Sequence, residues 1–290
     1  MNKARAALFL GILCISVFPV IVRMGLTSGL ISAFYRMAIA TALLFPVAAV
    51  LGKLKIESKK QFFGLLLCGV LFAADIAVWN VSIQGSSATQ ATLLTNLSPI
   101  WVGVLSFLFL NFRPKKSFWL GTAVALTGMV VFVGFDTVLN FNFDTAFFLG
   151  ILSGIFYALY ILVSKNVLQK MDVVTFMAFS MLFSSIFLFF VNLFFGESFW
   201  GFSTEAWVSL LVQGIVCQLI AWLLIIFATK RMRATRVSLS LLSQAVFAAL
   251  LATVFLDEKL TLTHMIGGFL ILSGIAVTFY EKKHKHPADF

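Results

Sequence analysis

Charge is what this sequence has least of. Of its 290 residues only 11% are Asp, Glu, Lys or Arg, whereas a soluble domain carries about a quarter. Too little polar material is present to wrap a water-soluble surface, and mean hydropathy is +1.05. Histidine is almost missing: His264 stands at the edge of the last apolar run and His284 and His286 lie in the tail. With no histidine deep in an apolar run to activate a serine, the sequence argues against a hydrolytic triad. The basic tail reads as a solvated end rather than a metal site. The three cysteines, Cys14, Cys68 and Cys217, fall inside apolar runs at no metal-ligand spacing. They read as small packing residues. A Walker-type phosphate loop is also missing, so no ATP-driven engine is encoded. A long soluble stretch that could serve as a receptor's sensing domain is missing too.

What is present is apolar sequence in long runs. Phe62–Ile83, Ser117–Phe135 and Phe147–Ser164 each approach or exceed the roughly 20 residues that cross a hydrocarbon layer about 30 Å thick. Backbone polar groups in lipid must be satisfied internally, which leaves helices or closed barrels. Barrel strands alternate polar and apolar residues, and these runs do not. The expected class is therefore all-α, a polytopic membrane protein. Ten transmembrane helices are expected, near 5–22, 30–51, 61–83, 89–110, 117–135, 146–166, 173–195, 206–228, 236–256 and 262–280.

The net charge of +10 invites a nucleic-acid reading, but its placement points to a bilayer. With the spans so drawn, 18 of the 21 Lys and Arg fall on one side: Lys3 and Arg5; Lys53, Lys55, Lys59 and Lys60; Arg113, Lys115 and Lys116; Lys165 and Lys170; Lys230, Arg231, Arg233 and Arg236; Lys282, Lys283 and Lys285. The opposite loops carry Asp136, Asp144, Glu197, Glu205, Asp257 and Glu258, with Arg23 and Lys259 as their basic residues. The positive-inside rule then puts both termini in the cytoplasm. A wrong span count would scramble this alternation. Lys3 and Arg5 ahead of an apolar run also look like a secretory signal, but nine further spans follow, so a retained helix is expected. The short, almost wholly intramembrane chain has a bacterial look, which places it in an inner membrane.

The chain repeats itself. The pentapeptide at Phe9–Leu13 recurs unchanged at Phe148–Leu152, Leu65–Val70 resembles Leu210–Ile215, and Gly121 and Gly128 are echoed by Gly267 and Gly274. The order is kept at offsets of 139 to 146 residues. Two inverted five-helix repeats follow, residues 1–140 and 141–290, because a repeat with an odd number of spans must re-enter the membrane upside down. The charges agree: the loop after the fourth span is basic, and its counterpart after the ninth is mostly acidic. Inverted repeats are the usual build of secondary transporters, with the solute site near the midplane where the halves meet.

The stretch WNVSIQGSSATQATLLTNLSPIW, followed by SFWLGTAVALTGMVVFVG, within Trp79–Gly134, resembles the EamA family of the drug/metabolite transporter superfamily. So does Leu239–Val277 in the second copy, together with the Phe34-Tyr35-Arg36 opening of the second span and the Asp257-Glu258-Lys259 turn. The resemblance covers nearly the whole chain. It implies a ten-helix carrier whose central cavity is lined by the first, third, fourth, sixth, eighth and ninth helices, and it favours export. The turn Asn111-Phe112-Arg113-Pro114 departs from the family by lacking an acidic residue, so no substrate is borrowed.

Two ionised residues sit well inside spans, Arg36 and Asp75. Charge at membrane depth is costly unless paired or hydrated, which makes both functional candidates. At 1.5 Å per residue Arg36 lies roughly 9 Å below one face, and Asp75, about 21 Å from the other, reaches a similar level. Either Asp75 is a proton or cation site tuned by Arg36, or the two form an ion pair locking the second and third helices. A second group falls on the expected cavity helices: Trp79, Asn80, Asn96, Trp101, Tyr157, Tyr160, Gln218, Trp222 and Gln244. Each amide alone reads as interhelical glue and each aromatic alone as packing. Together with Asp75 they suggest a substrate-binding cavity with apolar walls and neutral hydrogen bonding, suited to amino acids, nucleobase-like metabolites or amphipathic drugs. Phosphorylated sugars would call for several cations. Pro99 sits mid-span, with Gln244 in its place in the repeat; it is either a hinge or a tolerated bend, as is Pro19. Gly150 and Gly154 form a GxxxG pair explained by close packing. The expectation is a secondary transporter exporting amino acids or related compounds by alternating access, with no cofactor and no nucleic-acid partner, an uptake carrier or drug exporter being the alternatives. A membrane enzyme or receptor is disfavoured for want of catalytic groups or a soluble domain.

Overall fold

The computed structural model describes residues 2–85, 88–109, 114–139, 143–257 and 259–279. The Asn111–Arg113 part of the departing turn, Glu258 and the basic tail with His284 and His286 lie outside the described residues. Every regular element among them is helical. Ten helical stretches are long and apolar enough to cross a membrane, at Lys3–Val22, Gly29–Val50, Lys59–Ile83, Gln90–Leu108, Lys116–Val133, Thr145–Leu168, Val173–Phe194, Thr204–Arg231, Ala234–Phe255 and Leu262–Phe279. Each coincides with an expected span to within a few residues.

Seven spans are built on unbroken helices: α1 (Asn2–Arg23), α2 (Gly29–Val50), α3 (Lys59–Gly85), α6 (Lys116–Val133), α8 (Thr145–Leu168), α9 (Val173–Phe194) and α14 (Leu262–Phe279). A short α7 (Phe135–Leu139) links the repeats. The fourth span is two helices, α4 (Ala88–Thr95) and α5 (Ser98–Phe109), and so is the ninth, α12 (Ala234–Leu241) and α13 (Ser243–Phe255). The eighth runs as α10 (Thr204–Val212), a π-helical Gln213–Ile220 and α11 (Ala221–Arg231).

Local chemistry shows the repeat directly. Ser28 caps α2 by accepting from the Ile31 amide, and Asp172, 144 positions on, caps α9 by accepting from Val174. Both helices run 22 residues and close with the same device. Gly52 and Gly196, with φ of 64° and 69°, adopt the left-handed turn that glycine alone enters freely. That turn lets Lys53 N–H reach Ala48 and Glu197 N–H reach Asn192, so the last carbonyls are satisfied.

The packing obeys one pseudo-two-fold axis. Span 3 packs on span 6 as span 8 packs on span 1, and span 4 on span 6 as span 9 on span 1, while spans 2 and 7, and 5 and 10, pack on each other. Glycines mark the closest approaches. A methyl on Gly69 would lie 2.6 Å from Phe183, and one on Gly214 would lie 2.7 Å from Ile39, which are equivalent contacts in the two halves. Along the α6–α14 seam Gly121 meets Gly274 and Gly128 meets Gly267 backbone to backbone. The four glycines that repeat in the sequence are thus the residues that meet. Without a hydrophobic drive between helices in lipid, such close backbone packing is what holds spans together.

The ends that carry most of the basic residues come together on one face. Lys165 gives its ammonium hydrogens to the carbonyls of Thr229, Lys230 and Met232 at 2.8–3.0 Å, and Lys230 reaches Met171 at 2.6 Å. Lys53 pairs with Asp172 at 3.5 Å. On the opposite face Tyr35 donates to the Phe199 carbonyl and Ser28 to Glu197. The larger core lies mainly among spans 1, 2, 3, 6, 7 and 8, joined by Val102 of span 4 and Ala234, Val237 and Leu241 of span 9, and a smaller one lies among spans 4, 5, 9 and 10. A cavity sits between them.

Candidate functional site

The breaks in spans 4 and 9 shape the cavity. Pro99 has no N–H to return to Thr95 four residues earlier, so α4 ends at Thr95 and α5 begins at Ser98. Span 9 breaks at Leu242, the equivalent place, although no proline stands there. Broken helices at matched positions in the two halves are where transporters of this build expose backbone to a ligand.

The cavity holds about 160 Å³. A water's share of liquid volume is about 30 Å³, so there is room for roughly five waters or one small solute. Ile15 and Phe18 come from span 1, Phe72, Asp75, Ile76 and Trp79 from span 3, and Thr92, Thr95, Asn96 and Ser98 from span 4. Tyr157 comes from span 6, Trp222 from span 8, and Ser238, Leu241, Leu242 and Gln244 from span 9. All six expected helices contribute, and span 2 joins them through Arg36.

Of the residues singled out in the sequence, Arg36, Asp75, Trp79, Asn96, Tyr157, Trp222 and Gln244 share this cavity. The others do not line it. Asn80 turns its amide back to the Ile76 carbonyl at 2.8 Å and packs its oxygen against Gly29, tying span 3 to span 2. Trp101 packs on the larger core with its indole N–H unpartnered. Gln218 is 1% exposed within the π-helical segment, its side-chain oxygen also unpartnered. Pro99 sits one position past Ser98, behind the cavity wall it creates. Tyr160 stacks on Phe72 at 4.6 Å, and both meet Trp222 edge-on at 5.7 and 4.5 Å. Phe72 and Tyr160 stand three residues along their spans from Asp75 and Tyr157, which puts this buried ring cluster about one helical turn nearer the basic face.

The direct Arg36–Asp75 pair expected as one alternative is not made. Asp75 Oδ1 instead accepts from Ser153 Oγ at 2.6 Å, and Ser153 lies 2.9 Å from Thr95 Oγ1. Arg36 places its guanidinium 4.3 Å over the Phe18 ring, with Nε unpartnered. Each ion has found a partner on a different helix, so the two face one cavity with their charges uncancelled by contact. Two unpartnered donors on cavity residues, Arg36 Nε and Trp222 Nε1, call for an acceptor. Neither ion has a counterpart in the second repeat, where Ser180 and Ile220 stand at the equivalent positions.

Nothing in the sequence marks Ser153, which stands inside the Gly150–Gly154 pair. Gly150 and Gly154 do pack: a methyl on either would strike α4, at Leu94 or the Thr95 carbonyl. That close approach is what brings the Thr95 and Ser153 hydroxyls together. Among the described residues no group of three metal-ligating side chains occurs.

Comparison with known proteins agrees with this architecture. The model of the EamA-like transporter family matches twice, over residues 3–134 and 144–280. The chain is 26% identical over 253 residues to the Bacillus subtilis protein called "Uncharacterized transporter YdfC", covering 86% of this chain and 81% of that one. It is 22% identical over 154 residues to the S-adenosylmethionine uptake transporter of Rickettsia bellii, covering 53% and 52%. A crystal structure superposes with a TM-score of 0.80 at 20% identity over 96% of each chain, which shows the fold.

Proposed function

The chain belongs to the EamA-like transporter family and is a multi-pass membrane transporter rather than an enzyme, and from that premise we propose that it is a secondary transporter of small zwitterionic metabolites, exporting amino acids or related compounds. The observation that carries this reading is the cavity that holds Arg36 and Asp75 unpaired between aromatic walls. An α-amino acid supplies both missing partners. Its carboxylate meets the Arg36 guanidinium in the charge-assisted geometry that arginine favours. Its ammonium meets Asp75, and its side chain lies among Phe18, Trp79, Tyr157 and Trp222. Asn96 and Gln244 offer neutral hydrogen bonds from the two broken spans. Asn80, Trp101, Tyr160 and Gln218 support the walls from behind, and Pro99 supports the break.

The two repeats, divided near residue 140, exchange roles so that the cavity opens to one side and then the other. The basic face, with both termini, lies in the cytoplasm of a bacterial cell by the positive-inside rule. Uptake is the second reading: the Rickettsia relative is named for it, and S-adenosylmethionine is itself an α-amino acid that this pair of ions would accept. Purified protein in proteoliposomes, offered radiolabelled amino acids and the corresponding amines and carboxylic acids, tests the proposal. Flux is expected for the zwitterions alone, lost in Arg36→Met. Equal transport of an amine lacking the carboxylate would overturn it.

A further inference from the structure

The hydroxyl chain behind the cavity gives Asp75 a second ligand. We propose that Asp75 carries the coupling proton, exchanged against the solute's ammonium, and that Ser153 and Thr95 position it. The proposal rests on the transport reading above for its solute, but not for the proton site itself.

Asp75 is 7% exposed and joins span 3 to span 6 through Ser153. A hydroxyl has one hydrogen. Ser153 gives its hydrogen to the carboxylate, so Thr95 donates to Ser153, and the chain runs from Thr95 through Ser153 to Asp75. Its far end is the last residue of α4, where Pro99 leaves the Thr95 carbonyl without its usual partner. Asp75 Oδ2 has no hydrogen-bond partner among the described residues and is left to the cavity, where a proton or an ammonium can reach it. One oxygen thus holds the break in span 4, and the other meets what enters.

The charged and titratable groups around Asp75 are few. Arg36 faces it from α2 and Tyr157 from α8, with Tyr160 beyond. Neither α9 nor α4 carries an ionisable residue. With Asp75 charged, the empty cavity holds one anion and one cation. A zwitterion or a proton keeps Asp75 neutralised, and the two compete for Oδ2. The exchange balances: the carboxylate releases the ammonium to one side, takes a proton there, and gives that proton up on the other side before the next solute binds. When the carboxyl is protonated it no longer demands Ser153's hydrogen, which frees the Thr95 end of the chain and the break beside it.

Infrared difference spectroscopy on the full chain in lipid reads the proton without any solute, so it stands even if amino-acid flux fails. Titrated from about pH 4 to 10, wild type is expected to show the carbonyl stretch of a protonated acid with the hydrogen-exchange shift of a buried group. Asp75→Asn removes that band. Ser153→Ala lets the band persist to higher pH, by about tenfold in proton affinity, because the anion loses a charged hydrogen bond. Thr95→Val shifts it less, and Thr95→Ser restores it. In vesicles, Asp75→Asn weakens solute binding and abolishes accumulation against an imposed pH gradient, whereas Ser153→Ala keeps that accumulation with its pH profile moved to higher pH. Persistence of the band in Asp75→Asn, or gradient-driven accumulation by that variant, overturns the proposal. A response to Na⁺ but not to pH would replace the proton with a metal cation and overturn it equally.

Discussion

Replacing Gly128 by alanine tests the packing that holds the two repeats together. An added methyl carbon would stand 2.6 Å from the Ile271 amide nitrogen, 2.7 Å from Leu270 Cβ and 2.8 Å from the Gly267 carbonyl. Carbon contacts settle at about 3.5–4.0 Å, so α6 and α14 must part by nearly 1 Å. The obstructing atoms are mostly backbone and cannot swing aside. Overpacking of this kind costs about 1–3 kcal/mol, and the upper part of that range applies because a whole helix must move. Alanine returns up to about 1 kcal/mol through better helix propensity. The net expectation is a loss of about 1–2 kcal/mol, or roughly tenfold in the folded population at 1.4 kcal/mol per decade. Gly268 is the control: a methyl there would lie 3.4 Å from Val246, an ordinary contact, so Gly268→Ala is expected to be neutral or slightly stabilising. Gly274→Ala should match Gly128→Ala, because the two-fold axis relates them and a methyl there would lie 2.5 Å from the Gly121 carbonyl and 2.6 Å from the Ala125 amide nitrogen. Thermal unfolding of the purified variants in one detergent reads all three. If Gly128→Ala proved as stable as Gly268→Ala, the argument from backbone contact would fail.

Lys165→Met strips three carbonyls at the end of α11 of their cation and should cost about 1–2 kcal/mol, as for a partly buried charge at a helix C-terminus, read by the same unfolding assay. Trp222→Phe keeps ring contact with Phe72 and Tyr160 but deletes the unpartnered indole N–H. Stability should hold or rise while amino-acid affinity falls about tenfold, measured by concentration-dependent flux; unchanged affinity would remove Trp222 from the site. Pro99→Ala restores an N–H for the Thr95 carbonyl, so unfolding should move to higher temperature and turnover should drop, as expected if span 4 must stay broken to work.

Much of this protein was legible because lipid makes membrane folds local. Ten apolar stretches and alternating charges sufficed to place every span, since each helix must satisfy its own backbone. The collinear glycines announced the repeat. The break at Pro99 was foreseeable because proline's missing N–H acts four residues away in the same helix. The matching break at Leu242 was not, as no residue there forbids a helix, nor was the π-helical turn around Gln218. Both arise where neighbouring helices impose their shape.

The sequence by itself determined ten spans in two opposed halves; the helices around the cavity were implied by the family resemblance, and the structure added span 2 through Arg36. Only the tertiary structure decided what Asp75 and Arg36 do at the same depth. Sequence spacing places residues along a helix but not around it. Rotation about each axis, set by Gly150 and Gly154 letting α4 approach α8, gave Asp75 to Ser153 and left Arg36 to Phe18. Two charges that could have cancelled were thereby kept apart, as the proposed solute site requires.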